Sequence, residues 1–458
     1  MRQGLGGPRG WTAGPTMLGW GLVLVLAAGL LALAHVPRSE PGNLLGLWAG
    51  TLGLAACLMF VAWRQRWGLG RMMAVGLGLR AAVAVLSPEP LWSEDWLRYA
   101  WDGWRVAQGE WPYGETPEAW MARQPAGSVE DYPRALFEGM NSPGYHAIYP
   151  PVAQAVFAAV EWGRKALGGE MGLWLALFRA VLLGSEAWVL WGLWRLLERW
   201  GRDVRWTWAY ALHPLAIVEG MANAHFETLW VGALVAAGLG WGGRRGVGAW
   251  AVAVGTKVVP VFLLPGIVWA AGWRWRWALG GAGLVGGGVL WGVEGVGAEL
   301  AGWGRSAALF FRTFEFHPGL YAVARAAVAE GVGYNAIAVV GPVLGALGWG
   351  AAAAVGVWGR GWHWGERFAL GWGCILATAT TVHPWYFVAL LAGGVGTKWV
   401  WPAVWASTAA VSYVRYTALG GGDMAALDLW WGLSWGVNFL AVAWDCARAW
   451  RQRKPRMM

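Results

Sequence analysis

One short segment of the chain combines carboxylates, a guanidinium and a phenol in a spacing that favours acid–base chemistry. It covers positions 93–103 and reads Ser-Glu-Asp-Trp-Leu-Arg-Tyr-Ala-Trp-Asp-Gly. On a helix, one face would present positions i, i+3, i+4 and i+7, which are Asp95, Arg98, Tyr99 and Asp102. Asp95 could then act as a general base held by an arginine at a membrane surface. A solvated amphipathic helix with an ordinary Asp–Arg pair has the same pattern, so two interpretations stand.

The opposite face of the same helix is apolar and aromatic. It carries Trp96, Leu97, Ala100, Trp101 and Trp104. Aromatic and aliphatic side chains opposite a charged face are typical of helices that lie in the membrane interface. We therefore expect this apolar face to contact lipid.

A second segment, from Asn141 to Pro151, is rich in turn-forming residues. It reads Asn-Ser-Pro-Gly-Tyr-His-Ala-Ile-Tyr-Pro-Pro. Its last two prolines fix the backbone at the start of a helix that continues through Gln154 and Phe157. The segment, which includes Tyr149, is either a rigid turn or a loop that shapes a pocket over the membrane.

Several ionisable residues stand where apolar runs end. A His-Pro step at position 213 is followed by a polar group that comprises Glu219, Asn223, His225 and Glu227. Ionisable groups at membrane depth are costly unless they are used or paired. Glu219 fits a functional site and a satisfied structural carboxylate equally well.

Lysine is rare in this chain, which makes its positions informative. The four lysines stand at positions 165, 257, 398 and 454. Lys257 follows Gly255 and Thr256 at a predicted outer turn between two short apolar runs. An ammonium group there suits an anionic lipid headgroup as a point charge, whereas snorkelling to the interface would explain it without a ligand.

Two later segments complete the set of candidate residues. Arg312 stands in a polar segment with Glu315, His317 and Tyr321. Positions 381–386 read Thr-Val-His-Pro-Trp-Tyr, and His383 taken alone indicates a helix break with a capped imidazole. The sequence has no P-loop, dinucleotide-binding or zinc-site pattern, and its three cysteines, at 57, 374 and 446, form no CxxC pair.

These segments lie in a chain with the composition of a membrane protein. Of its 458 residues, 57% are apolar and 13% are charged, against roughly 25% charged in soluble domains. This balance excludes a disordered chain, a nucleic-acid-binding module, a disulfide scaffold and a soluble enzyme. We therefore predict an all-α polytopic membrane protein that forms a single integral membrane domain over residues 1–458.

A spanning helix needs ~20 mostly apolar residues, and the chain offers 14 candidate spans, several of them short. They cover roughly 17–35, 44–63, 72–87, 172–195, 206–219, 225–241, 246–256, 258–272, 276–293, 334–357, 367–382, 384–395, 399–417 and 427–448. Because of the short ones, we predict roughly 12–14 transmembrane helices. The segment 148–167 is predicted not to span but to lie on the outer side as a surface or re-entrant helix, since only then do the basic tracts share one side.

Charges are distributed unevenly between the two sides that this topology defines. With both termini in the cytoplasm, the basic tracts fall inside. They are Arg64–Arg71, Arg195–Arg205, Arg244–Arg245, Arg274–Arg276, Arg360–Arg367 and the basic tail 448–458. One long loop, 88–147, falls outside, is expected to bear amphipathic helices and holds 10 of the 26 acidic residues. This gathering of ionisable groups predicts a catalytic loop at the outer face.

Taken in order, these motifs resemble the bacterial polyprenyl-phosphate-mannose-dependent mannosyltransferases, which belong to the GT-C superfamily of integral membrane glycosyltransferases. The resemblance runs from about residue 90 to 390. It rests on the strings Asp95-x-x-Arg98-Tyr99-x-Trp101-Asp102-Gly103, Gly109-x-x-Pro112-Tyr113, Asn141-x-Pro143, Ile148-Tyr149-Pro150-Pro151-x-x-Gln154, His213-Pro214-Leu215, Lys257-x-x-Pro260 and His383-Pro384-Trp385-Tyr386. The sequence departs from the family after His225, where an Asn-Asp pair is common and Phe226 and Glu227 stand here. The longer carboxylate means that the family's pattern does not carry over unchanged to Glu227.

The resemblance implies a GT-C-like fold and a glycosyltransferase that moves a hexose, with mannose the expected sugar, from a polyprenyl-phosphate donor. The acceptor would be a glycolipid or glycan at the extracytoplasmic face of a bacterial inner (plasma) membrane. The reaction would be a single displacement with inversion, with Asp95 as the catalytic base and with Lys257 and Arg312 neutralising the donor phosphate. The other residues implied to bind substrate are Arg98, Tyr99, Asp102, Tyr149, His225, Glu227 and His383.

Two other functions remain compatible with the sequence. A transporter or flippase of a lipid-linked glycan would need charges buried within spans at the bilayer centre. A GT-C transferase of another sugar would share all the motifs above. A divalent metal is compatible with the family, but no set of ligands has a characteristic spacing, and no nucleic-acid partner is expected.

Overall fold

The computed structural model describes residues 16–270, 296–359, 361–416 and 424–453. Within these ranges the chain is helical and forms no strand, apart from one isolated bridge between Phe316 and Thr381. The predicted span at 276–293 lies outside the described residues, as do the arginines at 2, 9, 274, 276 and 360 and the end of the basic tail.

The described part of the chain forms α-helices from Met17 to Arg453. In chain order they are α1 (Met17–His35), α2 (Pro41–Arg64), α3 (Leu69–Leu86), α4 (Asp95–Ala107), α5 (Pro117–Arg123), α6 (Asp131–Gly139), α7 (Pro151–Leu167), α8 (Met171–Arg199), α9 (Thr207–Ala211), α10 (Pro214–Ile217), α11 (Glu227–Leu239), α12 (Arg244–Thr256), α13 (Leu264–Ala270), α14 (Val296–Arg312), α15 (Leu320–Val332), α16 (Ile337–Trp358), α17 (Trp364–Thr378), α18 (Tyr386–Gly394), α19 (Trp401–Thr408) and α20 (Met424–Arg453). Short 3₁₀ segments cover Val204–Trp206, Val259–Leu263 and Ala409–Tyr416, and a π-helical turn covers Val218–Ala222.

Five helices of the described part are long and apolar enough to cross a membrane. They are α1, α2, α3, α8 and α16. Two shorter apolar stretches, Glu227–Leu239 and Val259–Ala270, accompany them. The chain is thus all-helical with helices that suit a bilayer, as predicted, while the count of 12–14 spans stays a prediction.

Side-chain contacts bring several of the basic tracts to one end of the helices. The Arg205 guanidinium lies 3.8 Å from the centre of the Trp63 ring at the end of α2. Arg202 Nη2, after α8, lies 3.6 Å from Glu366 Oε1 at the start of α17. We call this the basic end of the molecule.

The loop 88–147 lies at the opposite end of the same helices. The indole N–H of Trp92 donates to the backbone oxygen of Val36, beyond the end of α1, over 2.7 Å. Arg38, in the link after α1, lies 4.2 Å from the centre of the Tyr416 ring, which places the end of the last 3₁₀ segment here. The Phe316 ring, four residues before α15, lies 5.8 Å from that of Tyr416. We call this the loop end.

Helix α4 is enclosed by protein rather than lying against lipid. Every residue from Trp96 to Arg105 is buried. The Trp101 ring lies 5.6 Å from that of Trp120 on α5, and a Cβ on Gly103 would approach the Phe157 carbonyl oxygen of α7 to 2.5 Å. The prediction that the apolar face of α4 contacts lipid is therefore wrong, because the other helices of the loop and α7 cover it.

An ion pair joins two of the membrane-length helices in their interior. Arg80 Nε on α3 lies 2.9 Å from Glu186 Oε2 on α8, and both side chains are buried. Arg80 also donates to the backbone oxygens of Gly76 and Ala211, and the Tyr210 hydroxyl donates to Glu186 Oε1 over 3.0 Å. The pair is satisfied by hydrogen bonds from several sides, as buried charges require.

Candidate active site

Asp95 stands at the start of α4, where the helix leaves the preceding loop. Its backbone N–H donates to Ser93 Oγ over 3.2 Å, and its carboxylate is 26% exposed, so a substrate can reach it. Burial raises the pKa of Asp95, and the charge of Glu94 raises it further, while His225, Ser93 and Lys257 lower it. A carboxylate with a raised pKa binds a proton more strongly than a solvated aspartate does, which suits a general base.

His225 faces Asp95 from the short link before α11. Its Nε2 lies 3.9 Å from Asp95 Oδ2, and this nitrogen is buried without a hydrogen-bond partner among the described residues. Its Nδ1 lies 3.0 Å from Glu219 Oε2. Because an ionised carboxylate only accepts hydrogen bonds, we assign a proton to Nδ1, which donates to Glu219.

Glu219 belongs to the π-helical turn, a distortion that often occurs at functional sites. Besides His225, it accepts hydrogen bonds from Asn223 Nδ2 over 3.2 Å and from the Tyr413 hydroxyl over 2.9 Å. Its carboxylate is buried and fully engaged, and it fixes the orientation of His225.

The His383 motif forms the wall of the site beside His225. The rings of His225 and Trp385 stack at 3.8 Å, and those of Trp385 and His383 stack at 4.3 Å. Phe316 closes the stack at 4.7 Å from His383. The bridge between Phe316 and Thr381 holds this segment in place immediately before α18.

Lys257 and Glu227 form an ion pair across the loop end of α11 and α12. The second oxygen of Glu227 accepts the indole N–H of Trp230. The ammonium group lies 4.4 Å from the centre of the Tyr386 ring. Lys257 is 19% exposed and its charge is felt by Asp95, so the cation borders the same site.

Arg98 and Asp102 point toward the loop and α7. Arg98 Nε lies 2.9 Å from Asp102 Oδ1, and Gln154 Nε2 donates to Asp102 Oδ2 over 3.0 Å. Arg98 also donates to the backbone oxygens of Ser142 and Tyr145. Burial raises the pKa of Asp102, against the effect of Arg98 and Gln154. Arg98 and Asp102 thus form the Asp–Arg pair that one interpretation of the motif expects. The pair anchors segment 141–151 on α4.

Tyr99 and Tyr149 lie in an aromatic cluster beneath Asp95. Their rings meet edge to face at 5.1 Å, and Tyr99 stacks on Phe157 at 5.0 Å. Phe226, next to His225, contacts Tyr99 at 5.2 Å. Burial and the negative charge of Asp95 raise the pKa of both tyrosines, so they remain neutral phenols.

Arg312 occupies a different position, at the end of α14. Its side chain is exposed and lines a cavity of about 340 Å³ between α14 and α16. The other lining residues are Ala308, Pro342, Gly345, Ala346 and Trp349. The chain then runs past the site, because the Phe314 ring lies 5.7 Å from Tyr145 and Phe316 stacks on His383.

The structure therefore brings Asp95, His225, Glu227, Lys257 and His383 together in one cluster, which Tyr99 and Tyr149 adjoin. Arg98 and Asp102 lie further along α4 and hold the segment 141–151, and Arg312 lines its own cavity. In the part of the chain that the structure describes, no group of three His, Cys, Asp or Glu side chains could hold a metal ion.

Three contributors to the site were not among the predicted site residues. Trp385, between the two imidazoles, belongs to a motif that the sequence does single out. Tyr413, which holds Glu219, and Arg38, which pairs with Glu94, stand in segments without any recognisable signal.

Comparison of the chain with protein-family models, with curated proteins and with solved structures finds no significant match.

Proposed function

We propose that this chain is a membrane glycosyltransferase that moves a hexose from a polyprenyl-phosphate donor to a hydroxyl of a glycolipid or glycan acceptor. The supporting observation is Asp95, a partly exposed carboxylate with a raised pKa that faces His225 beside the Lys257 cation. A base and a cation at one partly exposed site are what this reaction requires. The motif resemblance adds mannose as the expected sugar and a GT-C-like arrangement of 12–14 spans.

The proposed reaction is one displacement at the anomeric carbon. The acceptor oxygen forms a bond to that carbon while the bond from the carbon to the donor phosphate oxygen breaks, which inverts its configuration. Asp95 takes the proton of the acceptor hydroxyl, and polyprenyl phosphate leaves with the bonding electron pair. The leaving phosphate gains negative charge, which Lys257 is placed to neutralise.

The cavity at Arg312 supports a lipid-linked substrate. Its lining is almost entirely apolar, apart from the guanidinium at its edge. An isoprenoid chain with a phosphate end group has the matching polarity, with an apolar body and one anionic end. In this proposal Arg312 meets the lipid phosphate on its way to Lys257.

The direct test is a transfer assay with purified protein in detergent, radiolabelled polyprenyl-phosphate-mannose and a mixed pool of glycolipid and glycan acceptors. We expect label to move to an acceptor with the wild type and not with Asp95→Asn. Asp131→Asn is the matched control, because Asp131 also begins a helix of the same loop but is exposed. Equal turnover by Asp95→Asn and wild type would remove Asp95 as the base.

Loss of folding must be separated from loss of chemistry. Burial raises the pKa of Asp95, so its ionisation begins to destabilise the fold above the ordinary aspartate pKa and does so fully above the raised pKa. Asp95→Asn removes this charge, and we expect its thermal unfolding temperature at neutral pH to equal or exceed that of the wild type.

A lipid-glycan flippase is the second candidate, because one charged pair does lie within the membrane-length helices. Arg80 and Glu186 are buried between α3 and α8. Their hydrogen bonds to Ala211 and Tyr210 close the pair on several sides, which favours a structural role. A liposome flipping assay with a fluorescent lipid-linked sugar distinguishes the two: flipping by an Asp95→Asn variant that transfers nothing would favour transport.

A further inference from the structure

The link between α1 and α2 reaches the loop that carries the proposed base. Arg38 Nη2 lies 2.6 Å from Glu94 Oε1, and Arg38 Nη1 donates to Glu94 Oε2 over 3.1 Å. The same Nη1 donates to the backbone oxygen of Trp92 over 2.7 Å. In return, the Trp92 indole N–H donates to the Val36 backbone oxygen over 2.7 Å. The two segments are therefore joined from both sides, by a forked ion pair and by two hydrogen bonds to backbone.

The ion pair between Arg38 and Glu94 lies directly beside the proposed base in the chain. Glu94 is the residue immediately before Asp95 and occupies the position that precedes the first residue of α4. Two adjacent carboxylates repel each other when both are ionised. Arg38 supplies the compensating charge, and the only other side-chain hydrogen bond shown for Glu94 in the described residues comes from Asn141, which is neutral. The Tyr416 ring covers the guanidinium at 4.2 Å and holds it in place.

We propose that Arg38 is a positioning residue, which neutralises Glu94 and fixes the start of α4 so that Asp95 can ionise and act as the base. This inference rests on the proposed function for its catalytic meaning. It enlarges the site to include the first two helices, which lie outside the segment that carries the resemblance.

Other charged and titratable groups face Asp95 and set the background for this effect. Those on other elements are His225, Lys257, Tyr149, Tyr386 and Tyr416, and those on its own element are Glu94 and Tyr99. Of these, Lys257 already has a carboxylate partner in Glu227, and His225 has one in Glu219. Arg38 is thus the cation that offsets the carboxylate nearest to Asp95 in the chain.

The test uses the pH dependence of turnover in four full-length variants. Arg38→Ala should move the acidic limb of the kcat profile to higher pH by about half a unit or more, because an unpaired Glu94 disfavours ionisation of Asp95. Arg38→Lys should restore the wild-type limb. Arg38→Ala combined with Glu94→Gln should also restore it, since both charges are then absent. Arg123→Ala is the matched control, because Arg123 makes the same forked pair with Glu115 in the same loop, away from Asp95.

A second readout does not depend on turnover. A water-soluble carbodiimide with an amine reacts with protonated carboxyl groups, and peptide mass spectrometry can follow the modification of Asp95 against pH. In Arg38→Ala we expect this modification to persist to higher pH than in the wild type, and in the double variant to return to the wild-type range. The same shift in a protein that transfers no sugar would support the role of Arg38 while refuting the glycosyltransferase.

The opposite result is equally clear. If Arg38→Ala lowers only the thermal unfolding temperature and leaves both the kcat profile and the Asp95 modification curve unchanged, the contact is merely structural. A kcat profile that the double variant fails to restore would also overturn the proposal, because the charge of Glu94 would then not be the cause.

Discussion

At the scale of single residues, the candidate site depends on how each charge is compensated. Glu219, Glu227 and Asp102 are buried and each accepts hydrogen bonds from at least two side chains. Asp95 differs from them, because the ion-pair partner shown for it is an imidazole nitrogen at 3.9 Å and part of its surface is exposed. A carboxylate that the fold leaves incompletely satisfied is the one available for a substrate proton.

This difference predicts the pH dependence of the reaction. Burial raises the pKa of Asp95 above the ordinary aspartate value of 3.8, so the base stays protonated, and inactive, to higher pH than a solvated aspartate would. We expect kcat to fall on the acidic side with an apparent pKa above that value, which a transfer assay at saturating donor measures. A limb at or below pH 3.8, in protein shown to stay folded, would contradict this assignment.

Lys257 gives a prediction about the donor. Removing its ammonium should raise the KM for the lipid-phosphate donor at least tenfold and leave the acceptor KM within about twofold, since a charged hydrogen bond contributes about 1.5–3 kcal/mol. Because Lys257→Ala alone would leave Glu227 buried and unpaired, the informative variant combines it with Glu227→Gln.

The matched control for this variant is Lys165→Ala. Lys165 also pairs with a carboxylate, that of Glu161 at 4.0 Å, but on α7. A donor KM that is unchanged in the Lys257 double variant would exclude Lys257 from the phosphate site.

At the scale of helices, the sequence indicates where a helix forms better than it indicates which helices pack together. The spacing from Asp95 to Asp102 predicts a helix, and α4 begins at Asp95. The aromatic face of that helix is indistinguishable in sequence from a lipid-facing one, and only the covering by α5, α6 and α7 makes it internal. Apolar periodicity shows that a face is buried and does not show what buries it.

Gly103 shows how closely α4 and α7 pack, and it can be tested. A methyl group there would come within 2.5 Å of the Phe157 carbonyl oxygen, which belongs to backbone and cannot move aside. We expect Gly103→Ala to destabilise the protein by about 1–3 kcal/mol and to lower turnover, because it displaces the helix that begins with Asp95.

Gly78→Ala is the control for this change. Gly78 lies within α3, and nothing stands within 4 Å of the position its Cβ would take. That variant should equal the wild type or gain up to ~1 kcal/mol from higher helix propensity. Thermal unfolding in detergent, followed by circular dichroism, measures both; equal behaviour of the two alanine variants would show that α4 and α7 are not in close contact.

At the scale of the whole molecule, several basic tracts and the acidic start of α4 lie at different ends of the described helices, while the side of the membrane that each end faces stays a prediction. The tracts that include Arg202, Arg205 and Arg367 gather at the basic end, while Glu94 and Asp95 lie at the loop end. Basic tracts are readable from sequence because they stand between apolar runs. The pairing of Arg38 with Glu94, 56 residues apart, is not readable, because it depends on which helices are neighbours.

The orientation of these ends across the membrane can be measured directly. In a background with Cys57, Cys374 and Cys446 replaced by alanine, we expect Ser128→Cys to react with a membrane-impermeant maleimide in intact cells. Arg244→Cys should react only after the membrane is opened. Both positions are exposed, so access is decided by the membrane alone. The reverse pattern would place the proposed active site in the cytoplasm.

The ion pair between Lys257 and Glu227 has a consequence for the timing of a catalytic cycle. A phosphate that binds Lys257 must first take the place of the Glu227 carboxylate, so the protein carries its own competitor for the cation. In the proposed reaction, once the sugar has been transferred, the Glu227 carboxylate can pair with Lys257 again and displace the polyprenyl phosphate product. The pair would thus keep the empty protein from trapping unrelated anions, and it would convert tight binding of a product into rapid turnover.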